Sequence, residues 1–103
     1  MKRELSEVRK DELVGILTNE LTVLRAKVGL SQQELANRMG VSRQTYGMIE
    51  TKKQRMTWSN FITLLLLFRS NEDTARIIDW IGAYPQELQQ YIRLKDDVYD
   101  DQG

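Results

Sequence analysis

Residues 30–50 read LSQQELANRMGVSRQTYGMIE, and the interpretation of the chain turns on them. Ser31 precedes Leu35, Ala36 and Met39, which recur at helical spacing, and Glu34 stands three residues after Ser31, the pattern of a capping box. Gly40 breaks that helix and Val41 anchors a turn. Ser42 then opens a second short helix, to about Thr51, with Tyr46 and Ile49 facing inward. Two short capped helices separated by a glycine turn have the form of a helix-turn-helix.

Working outward, every other segment also predicts helix. Asp11 can cap a helix whose apolar positions are Leu13, Ile16, Leu17, Leu21, Leu24 and Val28, with Gly29 closing it; Leu5 and Val8 loosely extend the same periodicity. After the basic loop TKKQR, Thr57 caps a helix carrying Trp58, Phe61, Ile62, Leu64, Leu65 and Phe68. A helix from about Glu72 to Ile81, carrying Ala75, Ile77, Ile78 and Ile81, is stopped by Gly82. Another starts with Pro85 at its first position and carries Leu88, Tyr91 and Ile92. DDVYDDQG has no packing pattern and reads as a frayed end. No strand alternation or internal repeat appears, so the expected fold is all-α.

Composition narrows the function classes. The chain of 103 residues suits one domain and is 41% apolar. It has no histidine and no cysteine, which removes the commonest general base, the thiolate nucleophile and the usual transition-metal ligands. An enzyme is not expected, and no cofactor or metal is implied. MKRELSEVRKDE contains no apolar signal core, and FITLLLLF is far shorter than the ~20 residues that span a bilayer. A soluble cytoplasmic protein without a membrane partner is expected.

The net charge of zero hides a segregated pattern. Residues 1–20 carry −1, residues 21–69 carry +6, and residues 70–103 carry −5. A basic centre with an acidic follower suggests a nucleic-acid partner.

The stretch from about Leu21 to Phe68 resembles the Cro/CI repressor family of DNA-binding domains, also called the xenobiotic-response-element (XRE) type. GLSQQELA, MGVSRQT and the trailing IE carry the resemblance. It implies a lambda-repressor-like helical bundle in which the helix from Ser42 to Thr51 enters the major groove of double-stranded DNA. Arg43 and Gln44 would meet base edges, arginine suiting guanine and glutamine adenine. Gly47 and Met48 lie one turn later on the same outward face, where DNA would approach the backbone and a thymine methyl would meet the methionine. Gln32, Ser42 and Thr45, with Lys52, Lys53 and Arg55 in the following loop, would meet phosphates. The resemblance pairs Arg25 with Glu50 as a structural tie between the first and third helices.

Three departures stand out. Lys52 replaces the glycine usual after the recognition helix, Met56 replaces a proline before the fourth, and Tyr46 is bulkier than the usual aliphatic residue.

The expected division is a DNA-binding domain over residues 1–69 and a helical extension over residues 70–103, the latter either a homodimer contact or simply a cover for the LLLL helix of the same chain. Trp80, Tyr84 and Tyr91 look exposed there. A transcription regulator, expected to be a repressor, is the leading reading. An antitoxin binding a protein partner through residues 70–94, or an adaptor that has lost DNA binding, stands as the alternative.

Overall fold

Capping chemistry sets most of the boundaries. The computed structural model describes residues 4–94, and the DDVYDDQG tail lies outside them. Six helices occupy the described residues: α1 (Glu7–Val28), α2 (Gln32–Met39), α3 (Arg43–Glu50), α4 (Trp58–Arg69), α5 (Glu72–Ile81) and α6 (Gln86–Ile92). Ser31, Ser42 and Thr57 each sit in extended backbone and accept a hydrogen bond from the amide three residues on. Glu34 returns a bond from the Ser31 amide at 2.8 Å, completing the capping box. That amide and the Ser31 hydroxyl hold the Glu34 carboxyl below its ordinary pKa.

Two starts differ from the sequence expectation. α1 is capped by Ser6, whose Oγ accepts from the Arg9 amide at 3.1 Å, and Asp11 lies inside the helix. The earlier start is explained by Leu5, which is buried in the core just ahead of the cap. Pro85 is the N-cap of α6, one place before its first helical residue.

One core runs through all six helices. Leu13, Leu17, Leu21 and Leu24 of α1 face Leu35 and Ala36 of α2, Tyr46 and Ile49 of α3, and Phe61, Leu64, Leu65 and Phe68 of α4. Ala36 is fully buried. Ile78, Ala83 and Leu88 join the same cluster, so the C-terminal helices share the core of the helix-turn-helix. Met56, at the position of the missing proline, fills part of that core instead.

α5 turns inward on Thr74 and Ile78 rather than on Ala75. Thr74 is fully buried because its hydroxyl donates to the Phe68 carbonyl at 2.5 Å, linking α5 to the end of α4.

α6 is held at the far end of α1 by charge. Arg9 Nε donates to Glu87 Oε1 at 2.8 Å. Lys10 Nζ lies 5.4 Å from the centroid of the Trp58 ring and 5.1 Å from that of Tyr91. Trp58 also stacks on Phe61 with centroids 4.8 Å apart. Tyr91 is therefore half-buried, and so is Tyr84, which covers Arg69. Only Trp80 of the three aromatics expected on the surface is exposed.

The tie between α1 and α3 is a two-pronged ion pair. Arg25 Nε donates to Glu50 Oε2 at 3.1 Å and Arg25 Nη2 to Oε1 at 2.9 Å. Its remaining nitrogen donates to the Leu30 carbonyl at 3.1 Å, and the Thr22 hydroxyl donates to Glu50 Oε1 at 2.9 Å. The Glu50 side chain is only 7% exposed and that of Arg25 is 20% exposed.

Burial alone would raise the Glu50 carboxyl. Arg25, the neighbouring Tyr46 hydroxyl and Thr22 outweigh it and hold the carboxyl at about 2. Tyr46 Oη itself is buried and completes no hydrogen bond of proper geometry among the described residues. Burial beside this carboxylate pushes its own ionisation upward.

The depressed carboxyl makes stability depend on pH with a definite sign. Its contribution is fully present above the ordinary carboxylate value of 4.5 and is lost as pH falls through about 2. Glu50→Gln abolishes that titration. We expect wild type to lose about 2 kcal/mol more than Glu50→Gln across this window in denaturant melts, a figure reduced for the partial exposure of Arg25. Coincident pH profiles would show that the arginine does not hold the carboxylate in the folded protein.

Candidate nucleic-acid interface

The start of α3 is built to be firm and left open. Ser42 Oγ accepts the Thr45 amide at 3.0 Å and donates its own proton to Thr45 Oγ1 at 3.0 Å. The Thr45 hydroxyl proton is then free to reach outward. Arg43 and Gln44 are exposed, and among the described residues neither side chain takes a hydrogen bond or ion pair.

Arg43 stands at the positive end of the helix dipole, and the first turn of α3 contains no acid. A cation there costs about 0.3–1 kcal/mol, so the arginine works against the stability of its own helix.

One turn later, Gly47 and Met48 are half-buried. A Cβ at Gly47 would meet only Gln32 Oε1, at 3.8 Å, an ordinary contact. The fold therefore leaves room for alanine, although glycine in mid-helix costs about 1 kcal/mol. Gln32, at the first position of α2, lies against α3 at this level with its side-chain amide unengaged among the described residues.

The turn after α3 has an uncommon backbone. Helices α1, α2 and α5 end in Schellman turns closed by Gly29, Gly40 and Gly82, whose φ values are 71°, 77° and 76°. In each an apolar residue follows the glycine: Leu30, Val41 or Ala83. α3 ends in the same hydrogen-bonded pattern, with the Lys53 amide donating to Met48 at 2.8 Å and the Lys52 amide to Ile49 at 3.1 Å.

Here the left-handed residue is Lys52, with φ 65°, the one non-glycine with positive φ among the described residues. Lys53 stands where the other turns carry an apolar side chain. A β-carbon in that conformation costs ~1–2 kcal/mol. The turn holds two exposed, unpaired lysines at the end of α3 instead of closing it in the most stable way.

Arg55 differs from its two neighbours. It is ion-paired to Asp11 of α1 and so is engaged within the protein, although the pair is exposed. The two residues are 44 positions apart, and nothing local in the sequence signals the contact.

Residues 23–65 match the family model described as helix-turn-helix. This segment is a Cro/CI-type helix-turn-helix. The match spans less than half of the chain and includes α2, α3 and most of α4, and the chain thus carries the DNA-binding module of an XRE-type transcription regulator. No curated protein and no solved structure matches the chain. No helix among the described residues is long and apolar enough to cross a membrane.

The two unfavourable backbone choices give a stability test. Gly47→Ala is expected to stabilise the protein by about 1 kcal/mol. Lys52→Gly should stabilise it by about 0.5–1 kcal/mol, because relief of strain is partly offset by the freer unfolded chain. Thermal melts check both. A destabilised Gly47→Ala protein would mean that the glycine serves internal packing.

Proposed function

We propose that this protein binds double-stranded DNA sequence-specifically through α3 and acts as a transcriptional repressor by occupying its site. The observation that carries this reading is the free start of α3, where Arg43 and Gln44 stand exposed and unengaged on a helix whose other end is tied by Glu50. Arg43 takes guanine O6 and N7, and Gln44 takes adenine N6 and N7. The missing side chain at Gly47 lets the duplex approach the helix, with Met48 against a thymine methyl. Gln32, Ser42, Thr45, Lys52 and Lys53 hold phosphates and fix the register. Arg55 joins them if DNA draws it from Asp11.

One such module covers only a few base pairs, so useful discrimination calls for two copies on a pseudo-palindrome, their recognition helices about 34 Å apart. In this reading residues 1–69 supply the DNA contacts and residues 70–94 the contact between copies, in the cytoplasm where the genome is accessible. Exposed Trp80 favours a second reading, an antitoxin or adaptor that binds another protein.

Arg43→Ala and Gln44→Ala are each expected to cost about 1–3 kcal/mol on the selected site and to relax base preference locally. Lys53→Ala should weaken all sequences alike and make the salt dependence shallower by about one unit of slope. Gly47→Ala should bind less tightly although it melts higher. Selection from a random duplex library followed by titration at several salt concentrations measures all of these. An unchanged selected sequence in Arg43→Ala and Gln44→Ala would show that α3 does not read bases.

A further inference from the structure

Asp11 stands in the N-terminal half of α1, ahead of residues 23–65 that match the helix-turn-helix family. Its carboxylate pairs with Arg55, in the loop after α3. The fold has little need of this pair. The Asp11 and Arg55 side chains are 53% and 65% exposed, and the loop is already anchored by Met56, buried in the core. An ion pair so open to water contributes little to stability.

Two cavities flank Arg55, which lines both. One, of about 430 Å³, is also lined by Glu7, Lys10 and Asp11 of α1. The other, of about 280 Å³, is also lined by Gly15 and Asn19 of α1 and by Lys52. A Cβ at Gly15 would meet nothing within 4 Å, so α1 leaves this second space open. The guanidinium therefore has two places within reach. The first offers it a carboxylate, and the second offers another cation and no acid.

We propose, on the DNA-binding reading above, that Asp11 is a built-in competitor of DNA. It parks Arg55 in the free protein, and a backbone phosphate must take the arginine from it. Like charge decides where Arg55 rests. Without an anion, a guanidinium beside Lys52 brings two cations together, so the place at Asp11 is preferred. A phosphate between Lys52 and Arg55 reverses the preference, since it meets two cations where Asp11 meets one.

The exchange is feasible because the pair is weak. An exposed pair is worth at most about fivefold in an equilibrium. A buried pair such as Arg25 with Glu50 could not be given up in this way. The competitor acts on a phosphate contact, so it lowers affinity without altering which bases α3 reads.

Four proteins form the test: wild type, Asp11→Asn, Arg55→Ala and the double variant. Each is titrated with the selected duplex and with a scrambled one at several salt concentrations. Asp11→Asn should bind both duplexes about three- to fivefold more tightly, with a salt slope steeper by up to about one unit. Arg55→Ala should cost more in the Asp11→Asn background than in wild type. Glu7→Gln removes a nearby acid that pairs with Lys10 instead, and reports the effect of charge alone. Its gain should stay below about twofold. Asp11→Asn should gain no more than that once Arg55 is alanine. Helical signal and melting should stay close to wild type throughout, as befits exposed pairs.

An equal gain from Asp11→Asn with and without Arg55 overturns the inference, because the carboxylate then acts only as a repelling charge. So does an unchanged or weakened affinity in Asp11→Asn, which would make the pair a brace for the loop. Both outcomes leave base reading by α3 intact. A selected sequence unchanged in Arg43→Ala and Gln44→Ala sinks base reading alone, since the scrambled duplex still decides the role of Asp11. Variants that bind neither duplex overturn both ideas.

Discussion

The forked ion pair between Arg25 and Glu50 is the constraint on which the position of α3 depends. α3 has only eight residues and is too short to be stable alone. Its inward face offers just two fully buried anchors, Tyr46 and Ile49. The pair adds a directional contact at its C-terminal end, and the same arginine holds the Leu30 carbonyl in the turn before α2. One guanidinium thus fixes the end of α1, the entry to α2 and the exit of α3 relative to one another. Hydrophobic burial cannot do this by itself, because it is non-directional. Replacing the pair with apolar side chains of similar size could preserve stability and still lose the angle at which α3 is presented.

Against that firm base, α3 and its following turn accumulate local choices that work against folding. Arg43 sits at the positive helix end, Gly47 weakens the helix interior, the Tyr46 hydroxyl is left without a proper partner, and Lys52 adopts a left-handed backbone. Elsewhere such departures are scattered: Gly15 lies inside α1, the first turn of α4 carries no acid, and Pro85 starts α6 without a side-chain cap. First turns of α1, α2 and α5 carry acids, and three helix ends carry glycine. From Arg43 to Lys52 such departures cluster within ten residues, and a cluster of this kind marks residues that answer to something besides stability. The Tyr46 hydroxyl is a separate matter, since it is turned into the core and serves no surface.

Much of this was legible in the sequence because capping is local chemistry. Ser31 with Glu34, Ser42 and Thr57 act over three residues, and the helices they start were readable from those residues alone. The start of α1 was ambiguous because Ser6 and Asp11 are both capping types and the apolar period extends past each. Burial of Leu5 decides between them, and burial is a tertiary fact. Thr74 in place of Ala75 has the same origin: a hydroxyl is welcome in the core only if an acceptor is there, and Phe68 supplies it. Arg43, Gln44, Lys52 and Lys53 could be placed on a surface from helical spacing and loop position. The engagement of Arg55 by Asp11, and of Lys10 by Trp58 and Tyr91, could not, since each joins distant parts of the chain.

Charge pairing reconciles a neutral chain with the polyanionic partner proposed for it. The acids of the C-terminal helices are largely occupied away from α3: Glu87 with Arg9 of α1, Asp79 with Arg69 of α4, and Asp73 with Arg76 on its own helix. Asp11 takes Arg55. Among the described residues Arg43, Lys52 and Lys53 keep no such partner, and Glu50, the acid nearest them in sequence, is neutralised by Arg25. At physiological ionic strength charges are felt over about 8 Å, so a phosphate responds to the surface it meets and not to the sum over the chain. Zero net charge therefore limits long-range attraction to bulk nucleic acid but leaves close contact at α3 unopposed. Under the proposed function, less of the affinity is non-specific, which is nearly all electrostatic, and a larger share comes from base contacts.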